Sequence, residues 1–405
     1  MAYSKLFYLV DQEKNRQKEG INLIASENYT PKIIRDLVGS VLMNKYIEGK
    51  PGHRYYSGCA FIDQIELEAI ELFKKLFNAD HANVQPHSGS QANFAVYFAL
   101  LQPGDIILSM NLASGGHLTH GAKVSMSGSL YKIISYGVDP KTELIDYNEI
   151  QRLAYEHKPK LIIAGASSYA RTIDFKKFSE IAYEVQAYFM ADIAHTAGLI
   201  AAGIYQSPVA YADIVTLTTQ KTFRGPRGGV ILCKAELAAK IDRAVMPGIQ
   251  GGAFGHEIAA KALSCHLAMN IDFVDYQKKV VACAKAMAAE FYLLGYKVVS
   301  GGTDTHLLLL DIRALGITGK DVEKILEKIN IFVNRNAIPF DTLPPLQAGG
   351  IRIGTAAIVS RGATLADCIQ IVQIIHGVLS NMGNNELHEE LKAQVKKITS
   401  TWNEV

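Results

Sequence analysis

Short apolar runs alternate along this chain with longer stretches of helical period. Residues 4–19 carry an amphipathic pattern and predict a helix. Residues 26–62, rich in Tyr, Gly and Asn, read as an extended, loop-rich arm. From Asp63 the alternation is regular. Asp63–Phe77 predicts a helix with Ile65, Ala69, Leu72 and Leu76 on one stripe. Ala82–Gln85 reads as a short strand, Ser90–Leu101 as a helix and Ile106–Leu108 as a strand. Tyr131–Tyr136, Leu161–Ala164, Ala187–Ala191 and Ile214–Thr218 read as further strands, with helices at Tyr147–Glu156 and Phe175–Val185; a tight reversal then leads into another apolar run, Val230–Cys233. This alternation argues for an α/β fold, a mostly parallel central sheet covered on both faces.

After Gly248 the texture changes. One long helical run covers 256–294. Strands come next at Val298–Ser300 and Leu307–Ile312, then a helix over 319–329, strands at Phe332–Val333 and Gly350–Ile353, and a helix over 363–380. The expected division is an N-terminal helix and arm (1–62), a large α/β domain (63–270) and a smaller α+β C-terminal domain (271–405).

At 405 residues the chain can bury a large core and exceeds one domain of usual size. Apolar residues make up 49% and charged residues 20%, as in ordinary soluble proteins. Its 41 basic residues against 39 acidic leave +2, which gives no support for a nucleic-acid or polyanion partner. The short basic cluster Lys392–Lys397 reads as a solvated helix face. Cys59, Cys233, Cys265, Cys283 and Cys368 form no C-x-x-C pair, so neither a zinc site nor a disulfide framework is expected. Their odd count fits a reducing compartment. The first residues lack the pattern of a signal or transit peptide. No apolar run approaches the ~20 residues needed to span a bilayer. These features predict a cytoplasmic protein with no metal.

Four short stretches carry chemistry. In Thr216-Leu-Thr-Thr-Gln-Lys221 a lysine ends a β-branched run, just before the Gly225–Gly229 turn. Burial there favours the free amine of a Schiff-base lysine; a surface lysine at a strand end is the alternative. In Tyr188-Phe-Met-Ala-Asp192-Ile-Ala-His195 an apolar strand ends in a carboxylate, where ligands of open α/β sheets bind. A protonated pyridine nitrogen would be a suitable partner for it; a helix N-cap is the alternative. Pro86-His-Ser88-Gly89-Ser90-Gln-Ala-Asn93 lies between a strand and a helix, and such a start can hold phosphate; a plain helix cap is the alternative. In Gly350-Ile-Arg352-Ile-Gly an arginine interrupts an apolar strand. It pairs with a protein carboxylate or receives one from a ligand. Together these are the parts of a pyridoxal phosphate enzyme acting on an amino acid.

The chain resembles the serine hydroxymethyltransferases, fold-type I pyridoxal phosphate transferases, from about residue 20 to 380. The blocks that carry the resemblance are Leu23-Ile-Ala-Ser-Glu-Asn28, Asn44-Lys-Tyr46-Ile-Glu48-Gly, Arg54-Tyr-Tyr56, Pro86–Asn93, Gly115–Gly121, Asp192-Ile-Ala-His195, Lys221-Thr with Arg224–Gly229, and Val298–Asp304. The resemblance implies that Lys221 carries the cofactor covalently. Asp192 would pair with the ring nitrogen, and His117 would stack on the ring. Ser88, Gly89 and Ser90 would hold the phosphate, with Tyr46 and Gly252 arriving from a neighbouring subunit. Ser167, His195 and Gln220 would border the ring. Arg352 and Ser26 would take the amino-acid substrate, and Glu48 and Tyr56 of the neighbour its hydroxyl proton. Leu112, Gly116, Leu118 and Asn336 would face tetrahydrofolate. A shared site implies a homodimer or a tetramer.

The sequence departs from the family pattern in places. Gln220 stands where the family has histidine, and an amide cannot titrate. Ser114 replaces another histidine. Gly49-Lys-Pro-Gly-His53, Ser57–Phe61, Pro344–Gly350 and Thr355-Ala-Ala357 also differ from the usual blocks. The changes crowd around the folate side and the subunit-shared loop. This leaves two readings: transfer of the serine hydroxymethyl carbon to tetrahydrofolate, or a folate-independent aldolase or transaldolase on β-hydroxy or α-methyl amino acids. A non-catalytic cofactor-binding protein is opposed by the presence of Lys221, Asp192, Glu48 and Arg352.

Overall fold

Seven short strands build the larger sheet: β1 (His81–Asn83), β2 (Ile106–Met110), β3 (Lys132–Tyr136), β4 (Leu161–Ala164), β5 (Tyr188–Asp192), β6 (Ile214–Thr218) and β7 (Gly229–Cys233). Their spatial order is β1-β7-β6-β5-β4-β2-β3. Pairings from β6 across to β3 are parallel, whereas β7 runs antiparallel to both β6 and β1. The link from Thr218 to Gly229 is too short for a crossover helix, so the chain must reverse there. Every residue of β4, β6 and β7 is buried, which is why these strands read as continuous apolar runs.

The computed structural model describes residues 2–404. It divides into two units, Thr30–Gln277, which holds this sheet, and Met1–Tyr29 with Lys278–Val405. Among the described residues no helix is long and apolar enough to cross a membrane.

The helices of the first unit include α1 (Ala60–Phe77), α2 (Gly89–Leu100), α3 (Phe175–Val185) and α4 (Gly255–Ala268). Ala92, Val96 and Tyr97 of α2 pack in one core with Ile107, Ile163, Met190, Ile214 and Ile231 of the sheet. Helix α3 is capped by Asp174, whose side chain accepts from the Lys177 N–H. It buries Phe175, Phe178, Ile181 and Ala182 at helical spacing. The Phe178 ring stacks on Phe189 at 5.9 Å and meets Tyr136 and Tyr147 at 5.7 and 5.6 Å.

The second unit holds an antiparallel sheet of β8 (Lys297–Val298), β9 (Leu307–Asp311), β10 (Asn334–Asn336) and β11 (Gly350–Gly354), ordered β8-β9-β11-β10. Helices Leu365–Ser380 and Asn385–Thr399 come after it. The N-terminal helix Ala2–Glu19 is joined to this unit by a parallel pairing of Ile21–Asn22 with Ile331–Phe332. Buried Arg361 adds to that joint. Its guanidinium donates to the carbonyls of Gln17, Lys18 and Gly20 at 3.0, 2.7 and 3.2 Å, and to Asn403 at 3.2 Å. A cation at the carbonyl end of a helix also meets its negative pole.

Four expectations from sequence change. The 256–294 run is two helices, α4 and α5 (Ile271–Leu293), broken at Met269–Asn270. Asparagine competes with the helix for backbone hydrogen bonds. The expected arm contains a helix, Lys32–Val38, and a two-residue hairpin, Gly49–Lys50 with His53–Arg54. The face that α1 buries is Ile62, Glu66, Ala69, Phe73 and Phe77; Ile65, Leu72 and Leu76 are only half-buried. The face is turned because Glu66 enters the interior to meet Arg54. The strand expected over Val298–Ser300 ends at Val298, where a tight helical turn begins.

Phe178→Ala should destabilise the protein by about 3–5 kcal/mol. On the same helix Tyr183 is 86% exposed, and Tyr183→Ala should stay within about 0.5 kcal/mol. Urea unfolding of both variants measures the contrast; similar losses would mean that the buried face of α3 is misassigned.

Candidate active site

Strands β1, β2, β4, β5 and β6 all run in one direction, so their carboxyl ends share one edge of the sheet, and β7 starts there. Ligands of open α/β sheets bind at that edge. Most candidate residues of the first unit lie along it. Ser88, Gly89 and Ser90 come after β1. Leu112, Gly116, His117 and Leu118 come after β2, and Ser167 after β4. Asp192 closes β5, with His195 just beyond, and Gln220 and Lys221 leave β6. Asp192 lies beside Thr216 of the next strand, which leads to Lys221.

Asp192 is the electrostatic centre. Its Oδ2 receives the His120 ring at 2.9 Å and the Asn93 amide at 2.9 Å, and its Oδ1 accepts from the Ala194 N–H at 3.0 Å. Burial pushes the carboxyl up, but hydrogen bonds from His120 and Asn93 and the nearby His117 ring hold it well below the usual carboxylate range. His120 Nδ1 accepts the His117 N–H at 3.2 Å, so its Nε2 is the atom that donates to Asp192. Asn93 is oriented by Thr216, whose hydroxyl donates to its amide oxygen at 2.7 Å, and by Thr119 at 2.8 Å. Thr119 also bonds His117 Nδ1 at 2.7 Å, so His117 presents its remaining ring nitrogen elsewhere.

Lys221 is 8% exposed. Its loop is tied to the one after β5: Thr222 donates through Oγ1 to the His195 carbonyl at 2.8 Å, and Thr218 to the Ala194 carbonyl at 3.2 Å. Gln220 accepts the Gly228 N–H through Oε1 at 3.4 Å. The Ser167 N–H donates to the Gly115 carbonyl at 2.7 Å, joining the loops after β4 and β2. Ser88 caps α2 by accepting the Gln91 N–H at 3.2 Å. Two close approaches set the Ser88–Ser90 loop against the sheet. A Cβ on Gly89 would lie 2.4 Å from Thr218 Cγ2, and one on Gly229 would lie 2.3 Å from the Ser88 carbonyl oxygen. Only glycine permits either.

Tyr46, Glu48, Tyr56 and Gly252 form a second cluster. Tyr46 donates to Glu48 at 3.3 Å and meets the Tyr56 ring edge-on at 5.1 Å. The Glu48 carboxylate raises the Tyr56 phenol above its ordinary value. The bridge between Ile47 and Ala253 brings Gly252 against Tyr46. Both tyrosines are exposed. Arg54 anchors this segment from inside. It donates to Asp63 at 2.8 Å, Glu66 at 2.5 Å and the Gly49 carbonyl at 2.7 Å. Gln85 meets Glu66 and the same carbonyl at 2.6 and 3.0 Å.

The second unit carries three candidates. Arg352, on β11, is buried and donates through Nε to Asn334 at 3.0 Å. Burial pushes its guanidinium down to about 10, so it remains charged at neutral pH. Asn336 on β10 donates to the Ala337 carbonyl at 2.6 Å. Ser26 is half-buried. Leu112 and Leu118 of the first unit are exposed, whereas Gly116 is packed against the Met110 carbonyl. Among the described residues no group of three His, Cys, Asp or Glu gathers to hold a metal.

Sequence reasoning passes over His120 and Asn93, the two residues that fix Asp192. The signal for His120 was its spacing of three from His117, one turn of a tight helix; Asn93 gave none beyond its place on α2.

A family model for serine hydroxymethyltransferase matches residues 2–375. A serine hydroxymethyltransferase of Coprothermobacter proteolyticus is 54% identical over 398 residues, covering 98% of this chain and 96% of the relative.

The depressed Asp192 carboxyl stabilises the fold above its unfolded value, and that contribution is lost as pH falls below about 4. Unfolding free energy should therefore drop less steeply between about pH 4 and pH 2 in Asp192→Asn than in the wild type. Equal slopes would show that the folded protein does not hold Asp192 ionised.

Proposed function

The chain belongs to the serine hydroxymethyltransferase family, and we propose that it reversibly transfers the hydroxymethyl carbon of serine to tetrahydrofolate, leaving glycine and 5,10-methylenetetrahydrofolate. It is a pyridoxal-phosphate-dependent transferase of one-carbon metabolism. The observation that carries the site assignment is the Asp192 carboxylate, kept charged by His120 and Asn93 at the strand end next to the one that leads to Lys221.

The donor set fits the cofactor: an anion for the ring nitrogen, a buried amine, and a helix start with hydroxyls for phosphate. When bound, pyridoxal phosphate supplies an aldehyde that condenses with amines and a ring that draws off the electron pair of a bond broken at the amino acid's α-carbon. Lys221 would hold it through Nζ. Asp192 would keep the ring nitrogen protonated, and His120 and Asn93 hold Asp192 ionised for that role. Ser88, Gly89 and Ser90 offer hydroxyls and N–H groups to the phosphate. His117 would lie on the ring face, and Ser167, His195 and Gln220 would border its edge.

Arg352 takes the serine carboxylate, the fork geometry suiting two parallel hydrogen bonds, and Ser26 helps to position the substrate. Glu48 accepts the proton of the serine hydroxyl as the Cα–Cβ bond breaks, and the negative charge it places beside Tyr56 keeps that phenol protonated as a donor. Leu112, Gly116, Leu118 and Asn336 border the folate. Tyr46, Glu48, Tyr56 and Gly252 serve the neighbouring subunit, so the working unit is a homodimer or a tetramer. The exposure of Tyr46 and Tyr56 in the single chain, with that of Leu6, Phe7 and Val10 on the N-terminal helix, supports such an interface. Five free, buried thiols suit a cytoplasmic location.

Glycine should form from serine only with tetrahydrofolate present. Equal rates without it would replace the transferase with a folate-independent aldolase. Glu48→Gln should lower kcat by about 10²–10⁴-fold, and Lys221→Ala should lose the yellow colour of the purified protein after dialysis. A Lys221→Ala protein that stays yellow would show that the cofactor is not held by that amine.

A further inference from the structure

Lys261 lies in α4, 1% exposed, and takes no part in the proposed reaction. Its Nζ donates to three main-chain carbonyls: Val84 at 2.7 Å, Pro86 at 3.0 Å and Gly229 at 3.0 Å. An ammonium has three donors and no acceptor, so the cage takes up its full capacity. A buried ammonium is costly. Burial pushes this one down to about 7, with Glu257 and Glu66 pushing back. An apolar side chain of similar length would fill the space without that cost. Holding three carbonyls at once is what the ammonium adds.

The position of those carbonyls gives the cage its meaning. Val84 and Pro86 sit on the segment leaving β1, two residues before Ser88 at its nearer end. Gly229 opens β7 at the far side of the turn after Lys221, and its N–H donates to the Pro86 carbonyl at 3.1 Å. The amide of Gln250 adds a bond to the Gln85 carbonyl at 2.9 Å. One ammonium thus fastens the segment leading into the Ser88–Ser90 loop to the turn beyond the lysine.

We propose that Lys261 is a positioning residue for the phosphate cradle: by fixing the Val84–Pro86 segment against Gly229, it aims the hydroxyls and N–H groups of Ser88–Ser90 at the cofactor phosphate. This rests on the reading that Ser88–Ser90 take that phosphate. With its donors taken up by main-chain carbonyls, Lys261 acts through the backbone.

The test compares binding of pyridoxal phosphate and of pyridoxal, which lacks the phosphate, to cofactor-free protein. Lys261→Met keeps the stem and removes the donors; Lys261→Gln keeps two donors on a shorter stem. In Lys261→Met the Kd for pyridoxal phosphate should rise by about tenfold or more, with a smaller rise in Lys261→Gln, while that for pyridoxal changes by less than about threefold. Equal losses for both ligands overturn the proposal, as does a lowered Tm with unchanged pyridoxal phosphate affinity. Failure of both variants to fold also overturns it, in favour of a purely structural lysine. If the wild type shows no preference for the phosphorylated ligand, the reading of Ser88–Ser90 fails and the proposal falls with it.

Discussion

One carboxylate kept charged away from water constrains this site more than any other group. Burying an ion costs several kcal/mol even after relaxation, and each charge-assisted hydrogen bond returns about 1.5–3 kcal/mol. Asp192 therefore needs several donors at once. It draws them from the turn after β2, through His120, from α2, through Asn93, and from the loop after β5, through the Ala194 N–H. Three separate segments are committed to one side chain at a strand end. The edge of the sheet where chemistry can occur is stiff for that reason, and a residue such as His117 inherits its orientation from the same network.

A second theme is the use of buried cations as backbone clamps. Arg54 and Lys261 in the first unit, and Arg361 in the second, each direct donors at main-chain carbonyls. Irregular segments cannot pair their own carbonyls as helices and sheets do, and a buried carbonyl must be paired. A side chain with several donors and no acceptor answers that need at one point. Each clamp holds a segment at a place where regular structure gives out: the Glu48 hairpin, the entry to the Ser88 loop, and the end of the N-terminal helix.

Much of the sheet and its edge was legible in the chain. Leu161–Ala164 and Ile214–Thr218 have the bounds that their apolar runs predict, because a strand buried on both faces needs little beyond a short β-branched stretch. Asp192 and Lys221 stood out because a charge at the end of such a run has few bland explanations. The face of α1 was not legible: Glu66 reads as a solvent residue until Arg54 is known to lie inside against it. The break at Asn270 was hidden by apolar periodicity that continues on both sides. Lys261 looks like any helix lysine, since its partner Val84 is 177 positions away in sequence. Pattern reports what a residue is next to along the chain; the clamps depend on what folding brings near.

The contacts at Gly89 and Gly229 carry an evolutionary consequence. Each has its α-hydrogen where any other amino acid would place a carbon 2.3–2.4 Å from a neighbouring atom. Every missense change open to a glycine codon adds that carbon, so neither codon has a mild substitution within a single base change. Drift in descendants of this gene should thus pass these two positions by.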